Sequence, residues 1–361
     1  ENVFSIYFLS SLYVIFYLGG YHLFIKSLLD KVNFRPLKVA LLVISLALFS
    51  DVMFISYFNS FYQESIFIIS GLFVVALILA KERSYHWLLL AFFFLIFSKA
   101  QNLIFIVFPV FLISTKWRFL NKYFLFSGFL ITAFVLFFQL KKQAETNEAN
   151  LYEAVFLGLL YQADETEQKT VLYEMGLNNP HYLDNVGRGY WRDQNELYDY
   201  KLNKEFYQKV KNSTIIKMYI YNPHLFVKTA WAGLRIFNDQ SAQPEHLGNL
   251  SLENSVNGSK TIVKTFLGRY LNKLILPGFV GICLFYIWRS IYFQLKREDW
   301  IAWILLVFIP FVFIANFVAG GINDFIKHNL SVYFMFSILL LLFCLKLLQS
   351  IEVHFNRLKL K

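Results

Sequence analysis

Four short stretches of the chain hold the side chains able to do chemistry. The first is the link Ser-Asp-Val-Met-Phe-Ile-Ser-Tyr-Phe-Asn-Ser-Phe-Tyr-Gln-Glu-Ser at 50–65, which sets Asp51, Asn59, Tyr62 and Glu64 between two apolar runs. Carboxylates near a membrane boundary are costly unless paired or functional. Asp51 and Glu64 are therefore candidate catalytic groups, and Asn59 and Tyr62 candidate substrate ligands; helix capping is the competing reading. The second is Ser98-Lys99-Ala100-Gln101-Asn102. Here Lys99 is either a point-charge clamp on a phosphate, with Gln101 beside it, or a snorkelling lysine. In the third, Asn323 to Asn329, Asp324 and His328 stand four apart and can share a helix face. Acid and imidazole together suit proton transfer, while a local Asp324–Lys327 ion pair is the plainer alternative. The fourth, His181 to Asp193, mixes rings with Asp184, Asn185, Arg188 and Arg192, a composition that fits sugar recognition as well as it fits a packed turn.

The elements that position these groups are membrane helices. Of 361 residues, 57% are hydrophobic, 20% aromatic and only 16% charged, and Phe alone accounts for 42. A soluble domain carries about 25% charged residues, and one soluble core cannot hide this much apolar surface. The net charge of +10 does not indicate nucleic acid as a partner, because residues 141–266 hold 14 Lys/Arg against 15 Asp/Glu. The surplus lies in short links between apolar runs, where basic residues set orientation. Cys283 and Cys344 fall inside such runs and read as small buried hydrophobes. His, Asp and Glu are too scattered for a strong metal-ligand pattern, and no phosphate-binding glycine loop occurs.

Apolar runs at about 3–25, 39–57, 65–81, 86–98, 102–115, 122–140, 271–293, 300–320 and 328–349 predict an all-α polytopic protein with about nine membrane segments. The spans read as clean of charge, which speaks against a transporter. Alternate links carry 15 basic residues, among them Lys26, Lys31, Arg83, Lys116 and Arg289, while the opposite links carry Lys99 and Lys327 only. This asymmetry predicts a bacterial inner-membrane protein with a cytoplasmic C-terminus and residue 1 outside. A start on that side implies an upstream span with its own outer loop. Three regions follow: a membrane bundle at 1–140, a mainly helical extracytoplasmic region at 141–266, and three membrane segments at 267–361 with a basic tail. Within the middle region Lys204 to Tyr221 reads as helical and 238–260 as loop.

The arrangement resembles GT-C type membrane glycosyltransferases. Tyr-Phe-Asn-Ser-Phe-Tyr-Gln-Glu at 57–64 is similar to the signature of a bacterial hexosyltransferase family found in cell-surface and S-layer glycan clusters. Ser-Lys-Ala-Gln-Asn at 98–102, Asn-Leu-Tyr-Glu-Ala-Val-Phe-Leu-Gly-Leu-Leu at 150–160, Leu-Tyr-Glu-Met-Gly-Leu at 172–177 and Tyr-Asn-Pro-His at 221–224 match in order, so the resemblance covers about residues 1–240. It implies an inverting enzyme that takes a hexose from a polyprenyl-phosphate donor to a glycan or lipid-linked acceptor at the outer face. It also implies a principal base in the first outer loop, a second acid in the next outer loop, and a divalent cation as cofactor in some members. Asp51 and Glu64 fall in the second of these loops. On this reading Lys99, with Arg188 or Arg192, stabilises the leaving phosphate. A lipid-linked glycan transporter and a non-catalytic subunit of an envelope complex are the rival readings.

Overall fold

The computed structural model describes residues 6–59, 63–80, 85–98, 144–190, 200–239, 241–242, 263–264, 275–322 and 328–359. The described chain is mainly helical and forms two compact units. The first takes in Glu1–Phe137, Gln240–Ile309 and Leu330–Lys361; the second takes in Phe138–Asp239 and Pro310–Asn329.

The first unit's helices begin with α1 (Ile6–Leu29), α2 (Arg35–Phe49), α3 (Val52–Ser56), α4 (Glu64–Leu79) and α5 (Tyr85–Phe97), and it also holds the helix Ile275–Tyr292, the start of Arg297–Gly320, and Leu330–Lys359. Two-residue strands β1 (Ser241–Ala242) and β2 (Val263–Lys264) pair antiparallel, Ser241 opposite Lys264. Tyr57–Asn59 form a 3-10 turn after α3. Apolar residues cover every face of α1, and Phe8, Ile15 and Leu18 point outward, as lipid contact requires. Its other side packs on α4, which packs in turn on α5. The α4 backbone comes close to the last helix of the chain, Leu330–Lys359. A Cβ on Gly71 would stand 2.5 Å from Cε1 of Phe334, so only glycine leaves that ring its seat.

Nine crossing segments are more than these residues support. Four helices have the length and hydropathy of a span: Tyr7–Leu29, Ile275–Tyr292, Arg297–Gly320 and Leu330–Leu358. Glu64–Leu79 and His86–Phe97 are apolar but shorter. The run at 39–57 is broken because Ser50 ends α2, returning both its N–H and its Oγ–H to Leu46 O, and Asp51 starts α3. The 15 residues of α2 cover roughly 22 Å at 1.5 Å each, less than a hydrocarbon core of about 30 Å. The runs at 102–115 and 122–140 lie outside the described residues.

The second unit comprises α6 (Ala144–Glu153), α7 (Glu165–Glu174), α8 (Tyr200–Lys209), α9 (Asn212–Tyr221) and α10 (Pro223–Asp239). To these it adds the end of α12; α11 (Ile275–Tyr292), α12 (Arg297–Gly320) and α13 (Leu330–Lys359) complete the described helices. The stretch 204–221 is two helices rather than one, because extended backbone at Lys211 breaks it before α9. A π-helical segment, Ala154–Leu159, is buried throughout. Its wide turn frees carbonyls that other segments then take: Gly187 N–H donates to Phe156 O, Ile322 N–H to Leu157 O, and Thr229 Oγ1–H to Gly158 O. Gly321 makes this possible. Its φ is +63°, and a Cβ there would lie 2.4 Å from Glu153 O.

Candidate functional site

Most of the described side chains of the link 50–65 are buried in the first unit. Asp51 is buried and its carbonyl accepts the N–H groups of Phe54 and Ile55, which starts α3. Glu64 is buried at the first position of α4. Ser65 Oγ–H donates to Tyr57 O at 2.7 Å and so closes the loop between the two acids. Phe58 of the 3-10 turn packs against Tyr17 of α1 with ring centroids 4.9 Å apart and the rings tilted by 55°. The Tyr17 hydroxyl donates to Phe49 O at the end of α2, and Asp51 lies near enough to act on that hydroxyl electrostatically. Beside this turn runs a groove of about 180 Å³ lined by Tyr17, Leu18, Leu46, Phe49, Ile55 and Phe58. Its walls are ring faces and aliphatic carbons, because the tyrosine hydroxyls are occupied: Tyr17 at Phe49 O and Tyr21 at Ser45 Oγ. Ser50, next to the buried Asp51, lines this groove against the middle of α1.

The other candidate residues are placed as follows. Asn59 ends the 3-10 turn. Tyr62, Lys99, Gln101, Arg192 and Asp324 lie outside the described residues. Arg188 belongs to the second unit, where it is exposed and its N–H donates to Asn185 O. The Tyr152 hydroxyl is pushed up from its ordinary pKa mainly by burial, with the positive charge of Arg188 opposing. His328 also belongs to the second unit, where its carbonyl accepts from the buried Asn316 amide at 2.8 Å. Among the described residues no three His, Cys, Asp or Glu side chains gather as a metal site; Asp51 and Glu64 alone do not make one.

The family model for the YfdI N-terminal transmembrane domain matches residues 1–361. The chain belongs to this family. It is a membrane protein of the transmembrane-domain type, with several apolar helices to match. No curated protein and no solved structure matches it.

Two polar centres escaped sequence reasoning. The spans are not clean of charge, since Lys346 on α13 is 1% exposed in the first unit. Its Nζ reaches Glu298 Oε1 at 2.8 Å and Asp299 Oδ1 at 3.2 Å. Arg289 Nε closes on Asp299 Oδ1 at 2.8 Å, and Lys31 Nζ on Glu298 Oε2 at 3.4 Å. A lone lysine inside the run 328–349 was the available signal. The same helix then stitches the α1–α2 link. Gln349 Nε2–H donates to Lys31 O, and Glu352 Oε1 accepts the N–H groups of Asn33 at 2.9 Å and Phe34 at 2.8 Å. Phe34 stands at the N-cap of α2 and has no side chain to cap it, so Glu352 supplies the acceptor from the far end of the chain.

The second centre lies on the surface of the other unit. Glu167 completes a capping box with Asp164 at the start of α7. It also accepts from His224 Nε2 at 2.9 Å and from Lys228 Nζ at 3.0 Å. The Asp164 N–H, then Lys228 and His224, hold the Glu167 carboxyl below the usual carboxylate range.

Proposed function

We propose that this chain is the membrane part of a glycosyltransferase that moves a hexose from a polyprenyl-phosphate donor to a glycan or lipid-linked acceptor. One observation carries the reading: Asp51 and Glu64, which flank the Tyr57–Asn59 turn, are both buried, and Ser50, Ile55 and Phe58 of the same link line an apolar groove. The groove suits an isoprenoid tail, and a phosphate joined to that tail would sit at the level of the loop. In the reaction the acceptor hydroxyl oxygen bonds to the anomeric carbon as the bond from that carbon to the phosphate oxygen breaks. The acceptor proton passes to Asp51 or Glu64, and the electron pair leaves with the polyprenyl phosphate. A base in hydrogen-bond reach contributes about 10²–10⁴-fold. Lys99 offsets charge on the leaving phosphate, and Asn59, Tyr62 and Gln101 bind sugar hydroxyls or position them. A divalent cation remains a cofactor of the reading without an assigned ligand set.

The same reading puts the 51–64 loop and residues 141–266 outside the cytoplasm of a bacterial inner membrane, with the C-terminus inside. It counts the runs at 102–115 and 122–140 as crossings. Lys346 gives the transporter reading an observation of its own, since a buried charge within a span is typical of transport pathways. One experiment separates them. Purified chain in vesicles is given polyprenyl-phosphate hexose and acceptor, and Asp51→Asn and Glu64→Gln are compared with wild type at equal expression. A loss of about 10²-fold or more in at least one variant is expected. Undiminished transfer by both removes the assigned roles; movement of labelled lipid across the vesicle without transfer would favour the transporter.

A further inference from the structure

The helices α9 and α10 present two unlike faces. The inward face holds Ile215, Met218, Tyr219, Leu225 and Phe237, all buried. It packs on the second half of α12, within the same unit. Tyr219 and Phe226 meet Phe317 at 6.2 and 5.3 Å, and Phe237 meets Phe313 at 5.8 Å. Phe313 and Phe317 belong to a helix with the length and hydropathy of a membrane span, Arg297–Gly320. The seven steps from Phe313 to Gly320 cover roughly 10 Å of helix axis. The hairpin therefore grips the end of a membrane helix over a depth comparable to that of an interfacial amphipathic helix, about 5–10 Å.

The outward face has the composition such a depth demands. Ile220, Val227 and Trp231 are 68%, 64% and 52% exposed, and Ile216 lies one turn before Ile220. No Asp or Glu occurs in either helix before Asp239. The cations lie against aromatic rings at the edge of this face: Lys217 Nζ is 5.3 Å from the Tyr221 ring, and the Arg235 guanidinium 5.7 Å from that of Trp231. Lys228 and His224 turn the other way, to Glu167. Trp, Tyr, Lys and Arg together mark the boundary between headgroups and acyl chains.

We propose that the α9–α10 hairpin lies in the interfacial layer of the bilayer, with Ile216, Ile220, Val227 and Trp231 inserted and Lys217 and Arg235 on anionic lipid headgroups. A second copy of the chain is the poorer occupant. A twofold contact through this face would set Lys217 and Arg235 against their own like charges, whereas anionic headgroups complement them.

The test uses the full chain with Cys283 and Cys344 changed to Ala. Ile220→Cys, Val227→Cys and Trp231→Cys are made singly, with Glu174→Cys as the exposed reference on α7. Each carries an NBD label in nanodiscs of phosphatidylcholine and phosphatidylglycerol. Expected at 220, 227 and 231 is at least threefold stronger quenching by a lipid with an acyl-chain nitroxide than at 174, and at least threefold weaker quenching by aqueous iodide. Iodide quenching equal to that at 174 overturns the proposal. So does shielding from both quenchers, which would mark a protein partner or a second copy. Single cysteines at exposed positions leave the packed face intact, and an unchanged gel-filtration profile checks this.

Discussion

Two ion clusters in this chain use the same chemistry in opposite surroundings. In the first unit Lys346, Glu298, Asp299 and Arg289 meet with 1%, 4%, 0% and 14% of their side chains exposed. In the second unit Glu167, His224 and Lys228 meet with 26%, 51% and 45% exposed. Buried charges carry a desolvation cost of several kcal/mol each, which partners must offset. Exposed pairs carry little cost and gain little, typically about 0.2–1 kcal/mol. The first cluster is thus a condition for the fold, and the second trims a surface between α7 and α10.

The largest effect expected is at Lys346. Lys346→Met leaves Glu298 and Asp299 buried with one partner fewer each and should cost about 3–5 kcal/mol, read as a lowered thermal midpoint in detergent. Adding Glu298→Met should recover most of the loss, since Asp299 keeps Arg289 and Lys31 is free to reach water. A double variant no more stable than the single would break the contrast with the surface cluster. Next comes Glu352→Ala. It removes a charged acceptor from two backbone donors and should cost about 1.5–3 kcal/mol, with faster hydrogen exchange at Asn33 and Phe34 and unchanged exchange within α4. Smallest is Glu167→Gln, which should cost under about 1 kcal/mol. Its sign with pH is set by the depressed carboxyl. Because the folded value lies below the ordinary 4.5, the stabilisation is complete above that value and fades as pH falls through the folded one. Wild type and Glu167→Gln should therefore converge in stability once the pH has fallen through the folded value. A gap that widens there would show that Glu167 acts by packing instead.

The ease of reading these regions from sequence differs for physical reasons. Apolar runs located α1, α4, α5, α11, α12 and α13, because lipid contact needs length and hydropathy and little else. The loop with Asp51 and Glu64 was legible because carboxylates between apolar runs stand out. The broken run at 39–57 was misjudged because a single Ser50–Asp51 cap outweighs the hydropathy on both sides. Lys346 was overlooked because its partners lie 48 and 47 positions away, at Glu298 and Asp299, and no local pattern announces a partner at that distance. The π segment was invisible because its signal is the set of carbonyls taken by Gly187, Ile322 and Thr229, which exists only once the fold has formed.

The cap that Glu352 places on α2 also has a consequence for the order of events in synthesis. Phe34 and Glu352 are 318 residues apart. At a translation rate of about 5–20 residues per second, the start of α2 waits roughly 15–60 s for its acceptor to be made. During that interval the amides of Asn33 and Phe34 must be satisfied by water or headgroups. The nascent chain thus carries an unfinished joint at the start of α2 until α13 emerges from the ribosome.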